Sequence, residues 1–146
     1  MQVFRQIDTE GAALVGWGLH VMLLAPETEN GRCRTEIRLA GLGGIVWREA
    51  DVFNALDAVI NAHHNFGLFV VECDPFGGMD VGRQIVAMLR KGGPDLPAIL
   101  VSRNCDEQIF PVGQHEPIEL RAPLTAVALR VGFEHALRGR LIYSAA

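Results

Sequence analysis

Five short apolar runs alternate with stretches whose apolar residues recur at helical spacing, and this alternation leaves few folds open to the chain. The runs cover residues 20–25, 44–47, 66–72, 97–102 and 118–120. Residues 66–72 are continuously of β-forming type, which predicts a strand buried on both faces. Asp51 stands where a helix N-cap belongs, ahead of Val52, Ala55, Leu56, Val59 and Ile60. Asp80 is expected to cap a second helix whose inner face is Ile85, Met88 and Leu89. Pro123 is expected to open a last helix ending near Leu137, with Gly139 as its C-cap. Residues 28–40 permit a helix with a weak apolar face of Cys33, Ile37 and Ala40.

Strands and helices joined by short links predict an α/β domain, with a parallel sheet covered on both faces. Five strands with about five helices suit a flavodoxin-like, doubly wound, five-stranded parallel sheet. Two segments fit less smoothly. Residues 1–18 precede the first strand and carry Phe4, Ile7, Leu14, Val15 and Trp17, so an N-terminal extension (strand, hairpin or arm) is expected before a main domain over 19–146. Residues 104–117 contain Pro111, Gly113 and Pro117 and predict at most a shortened fourth helix.

Composition narrows the function. The chain has 146 residues, enough for one domain with a full core. Lys and Arg number 13 against 17 Asp and Glu, a formal −4 with no basic run, so no nucleic-acid partner is expected. No apolar stretch approaches the ~20 residues of a membrane helix. The first residues lack a secretory layout. Cys33, Cys73 and Cys105 are odd in number and lack metal-site spacing. A cytoplasmic protein without metal or cofactor is the expectation.

Three stretches carry a resemblance. Residues 46–56 look like the second strand and second-helix start of a response-regulator receiver domain. Residues 69–80, Phe-Val-Val-Glu-Cys-Asp-Pro-Phe-Gly-Gly-Met-Asp, are similar to its third strand and phospho-acceptor loop. Residues 97–102 and Arg121-Ala122-Pro123-Leu124 resemble its fourth strand, ending in Ser/Thr, and its lysine–proline junction. The likeness covers about residues 20–138 and implies a receiver (CheY-like) fold. It also implies a pocket with two acidic residues for Mg²⁺, an aspartate nucleophile, a Ser/Thr hydroxyl and a lysine.

The chain departs from that set. The acidic pair falls on Ala25 and Pro26. The acceptor falls on Glu72 by strand hydrophobicity and on Cys73 by counting back from Met79-Asp80, with Asp74 a carboxylate nearby. The lysine falls on Ala122, beside Arg121; only Ser102 fits. The resemblance therefore implies a degenerate pseudo-receiver that binds no Mg²⁺ and is no enzyme. One sharper expectation is that Glu72 reaches toward Ser102 as an imitation of a phosphorylated aspartate.

Other patterns have plainer readings. Gly41-Leu42-Gly43-Gly44 precedes a strand and is a turn, not a phosphate loop. His63-His64 are helix-end residues. Cys73 and Cys105 are inert thiols, with a redox pair as the alternative. Ser102 lacks the elbow of a hydrolase.

The last helix carries two apolar stripes. Leu129, Phe133, Ala136 and Leu137 are expected to face the sheet, while Leu124, Val127, Ala128 and Val131 lie more than about 100° away around the helix. The second stripe is read as an interface, unless residues 1–18 cover it. The expected function is phosphorylation-independent signalling by a stand-alone receiver that acts through a protein partner and as a homodimer. The alternatives are a small-molecule-binding flavodoxin-like module and a residual phospho-acceptor using Asp74.

Overall fold

A computed structural model describes residues 18–28, 31–62, 65–113 and 115–138. In chain order these form β1 (His20–Leu24), α1 (Arg34–Gly41), β2 (Ile45–Glu49), α2 (Val52–Asn61), β3 (Leu68–Glu72), a 3₁₀ turn (Asp74–Phe76), α3 (Met79–Lys91), β4 (Ala98–Ser102), β5 (Ile118–Arg121) and α4 (Ala126–Ala136). All strand pairings are parallel, in the order β2-β1-β3-β4-β5. That is the doubly wound order expected, with the reversal at the β1/β3 boundary.

The period of two in each strand sorts its side chains between two cores. Met22, Leu24, Phe69, Val71 and Leu100 face α2 and α3. Val21, Leu23, Leu68, Val70, Ile99, Val101 and Leu120 face α1 and α4. β3 and β4 are buried on both faces, as the apolar run over 66–72 predicted for β3. β2 is an edge, with Ile45 and Trp47 about half exposed. α4 lies close on β5: a Cβ added at Gly132 would stand 3.1 Å from Leu120 Cδ1.

Several local expectations hold. The Asp51 side chain accepts from the Asn54 N–H at 2.9 Å and caps α2. Gly41 ends α1 and residues 42–44 form the turn into β2, with Gly43 at φ 97°. Others are corrected. α1 buries Thr35 and Leu39, while Ile37, expected on the inner face, stands 50% exposed. In α3, Val86 takes the buried place expected of Met88, which is 40% exposed. Asp80 lies within the first turn of α3, and its N-cap is Gly78. The last helix starts at Ala126, because the Thr125 hydroxyl accepts from the Ala128 N–H at 3.0 Å; Pro123 precedes it. Among the described residues no fourth helix separates β4 from β5; Ile109 instead forms an antiparallel bridge with Glu119. Residues 1–17, His63-His64 and Gly139 lie outside the described residues.

Candidate functional site

In an open α/β sheet the carboxyl ends of the strands form a natural crevice. There a cavity of about 370 Å³ is lined by residues from α1 (Arg34, Thr35, Arg38), from β3 and its 3₁₀ turn (Glu72, Asp74, Pro75), from β4 and the residue after it (Val101, Arg103) and from Ala122, Pro123 and Leu124. A larger cavity, about 790 Å³, lies at the opposite end beside β2, between Trp47 and Phe66. It gathers none of the anticipated site residues.

β3 ends at Glu72, and the chain turns at once through Asp74–Phe76. Gly77 and Gly78 close that turn at φ 127° and 100°, values that side-chain-bearing residues rarely adopt. The turn folds Asp74 back over the strand ends. Its Oδ1 accepts from the Ser102 hydroxyl at 2.5 Å, and its Oδ2 accepts from the Arg103 backbone N–H at 2.9 Å. Ser102 is fully buried at the end of β4. Its oxygen also accepts from the Asn104 N–H at 3.2 Å and touches the Asn104 carboxamide oxygen. That carboxamide oxygen in turn accepts from the Met79 N–H at 3.2 Å, at the start of α3.

Asp74, rather than Glu72, is therefore the carboxylate at Ser102. Glu72 accepts from the Thr35 hydroxyl of α1 at 2.6 Å, which corrects the expectation that it reaches toward Ser102. Cys73 points to the other face of the sheet. A Cβ at Gly82 of α3 would fall 2.4 Å from its Sγ, so the thiol fills the gap that this glycine leaves. Arg121 turns away from the cavity, and its guanidinium donates to the Cys105 carbonyl at 2.9 Å and to the Asp106 carbonyl. Ala122 stays on the cavity wall. Ala25 is fully buried in the α1/α4 core, and Pro26 is half-buried; neither lines the cavity. The anticipated pocket is thus divided. Asp74 and Ser102 come together, Glu72 and Ala122 line the cavity, and Ala25, Pro26, Cys73 and Arg121 stand outside it.

Four polar cavity residues stand outside the sequence expectation: Arg34, Thr35, Arg38 and Arg103. The four-residue spacing of Arg34 and Arg38 puts them on one side of α1, a signal present in the sequence. Arg38 also donates to the Leu124 carbonyl, which ties α1 to the chain entering α4. Among the described residues no cluster of three or more His, Cys, Asp or Glu is arranged to hold a metal ion. No described helix is long and apolar enough to cross a membrane.

Burial pushes the Cys73 thiol up to about 12 and raises that of Cys105. Both are closed to thiolate chemistry near neutral pH. The native state holds the Cys73 proton above the pH at which the unfolded chain, with a thiol near 9.0, releases it. Its contribution to stability is therefore complete below pH 9 and is lost as pH rises toward about 12. A maleimide is expected to label half-buried Cys33 first and to reach Cys73 and Cys105 only in denaturant. Peptide mapping checks this, and prompt labelling of Cys73 in the folded protein would contradict it.

No family model and no curated protein matches the chain. A solved structure, a response regulator receiver domain protein from Clostridium thermocellum, superposes with a TM-score of 0.64 at 16% identity. The match covers 86% of this chain and 98% of that one. The chain thus has the α/β fold of a receiver domain.

Proposed function

We propose that the chain is a degenerate receiver that works in cytoplasmic signal transduction by contact with a protein partner, without being phosphorylated and without catalysing a reaction. The observation that carries this reading is the carboxyl end of β1. Where a phosphorylatable receiver needs two acids for Mg²⁺, this chain has a fully buried Ala25 and a half-buried Pro26. Neither side chain offers the oxygen ligand that a hard cation requires. A net charge of −4 favours a protein partner over nucleic acid.

The contact we assign to a homodimer is the outer stripe of α4. Val127 is 72% and Val131 46% exposed, with Ala128 half-buried beside them; Leu124, expected in the same stripe, instead precedes the helix and packs on the α1/α4 core. Leu129, Phe133 and Ala136 occupy the sheet-facing side. Paired exposed valines on a helix already packed on its other side suit burial against a second copy. Light scattering is expected to give twice the chain mass. Val127→Glu/Val131→Glu is expected to give the single-chain mass, with the stability of the single subunit changed by no more than about 0.5 kcal/mol apart from the lost contribution of association. A wild-type protein with the mass of one chain would overturn the dimer.

A second reading has its own support. The Ser102 hydroxyl lies 2.5 Å from Asp74 Oδ1, as an acceptor carboxylate and its phosphoryl-binding hydroxyl would. In that reading an Asp74 oxygen attacks phosphorus, and the bond from phosphorus to the donor's leaving group breaks.

A further inference from the structure

The cavity at the carboxyl edge holds three guanidinium groups, Arg34, Arg38 and Arg103, and two carboxylates, Glu72 and Asp74. Its formal balance is 3 − 2, or +1, in a chain whose total is −4. Both carboxylates are already engaged, Glu72 by Thr35, and Asp74 by Ser102 and the Arg103 N–H. Arg38 gives one arm to the Leu124 carbonyl. The guanidinium groups of Arg34 and Arg103 have no hydrogen-bond or ion-pair partner among the described residues, and both side chains are exposed at the cavity. They come from different elements, one from the first turn of α1 and the other from the residue after β4.

Such a wall is the inverse of a cation site. A guanidinium presents a planar fork of donors matched to phosphoryl or carboxylate oxygens. A dianion offers more acceptor oxygens and more charge to three such forks than a carboxylate does. A volume of about 370 Å³ lies near the small end of ligand pockets and suits a compact molecule.

We propose that this cavity binds a small phosphomonoester non-covalently and without a divalent cation, with its phosphoryl group between Arg34 and Arg103 and Arg38 behind it. This goes beyond docking through α4 and does not depend on it. Inorganic phosphate is the probe, titrated in a chelator at constant ionic strength and followed by amide chemical shifts. Saturable shifts are expected at Arg34, Thr35, Arg38 and Arg103, with the intact mass unchanged. Arg34→Ala/Arg103→Ala is expected to weaken binding about tenfold or more, because each charge-assisted contact is worth more than 1 kcal/mol. Its melting temperature and its mass in solution are expected to match the wild type; Arg103→Gln alone gives a milder loss of affinity. Shifts that rise linearly without saturating, an affinity unchanged in the double variant, or a covalent phosphoryl adduct would each overturn the proposal. A failed dimer with intact phosphate binding would overturn only the α4 reading.

Discussion

Phe133→Ala is expected to lower unfolding free energy by about 3–5 kcal/mol, the range for emptying a buried aromatic site. Phe133 is fully buried where α4 packs on β4 and β5, in the core shared with Leu120, Leu129 and Ile99. Gly132 beside it brings the helix backbone close to Leu120. A rigid contact of this kind leaves little scope for collapse around the cavity. Denaturant unfolding measures the effect. A loss under about 1 kcal/mol would mean that this face of α4 is not the packed one. The contrast with Val127→Glu/Val131→Glu is informative, since those positions lie on the same helix but outside the core.

The second large effect is expected at Arg83→Ala. Glu119 on β5 is 6% exposed, and its two oxygens accept from Arg83 Nε at 2.8 Å and Nη2 at 2.6 Å. Its hydrogen bond to Glu119 holds the Arg83 guanidinium above its ordinary range, so the arginine stays charged at every working pH. Removing it leaves a buried carboxylate without its charged partner. The fully buried case costs about 3–5 kcal/mol, but Arg83 is 49% exposed and water can reach the site, so about 2 kcal/mol is expected. Adding Glu119→Gln to Arg83→Ala is expected to restore part of the loss, because a neutral amide tolerates burial better. Urea melts of both variants check this. Equal stability of Arg83→Ala and wild type would show that the pair carries no net stabilisation.

The parts of the fold set by local pattern were legible. The run over 66–72 announced a strand with no wet face, and Asp51 announced the start of α2. Faces set by distant partners were less so. α1 is short and mostly polar, and which residues it buried depended on where the sheet lay beneath it; Leu39 won over Ile37. The site was legible only in outline. Strand hydrophobicity gave Glu72 as the acceptor position and counting back from Met79-Asp80 gave Cys73; β3 ends at Glu72, and Cys73 already has helical backbone angles. Asp74 reaches Ser102 because a 3₁₀ turn, closed by two left-handed glycines, reverses the chain there. That reversal leaves no periodic trace in sequence. The spacing of Arg34 and Arg38 was visible, but their meeting with Arg103 was not, because α1 and the end of β4 are far apart in the chain and meet only through the sheet order.

We propose that this receiver fold operates without phosphorylation. The most direct test is intact-mass analysis after incubation with a small phosphodonor and Mg²⁺, quenched in acid to preserve any acyl phosphate. The unmodified mass is expected in the wild type and in Asp74→Asn alike. A gain of one phosphoryl group that disappears in Asp74→Asn would contradict it and establish Asp74 as the acceptor.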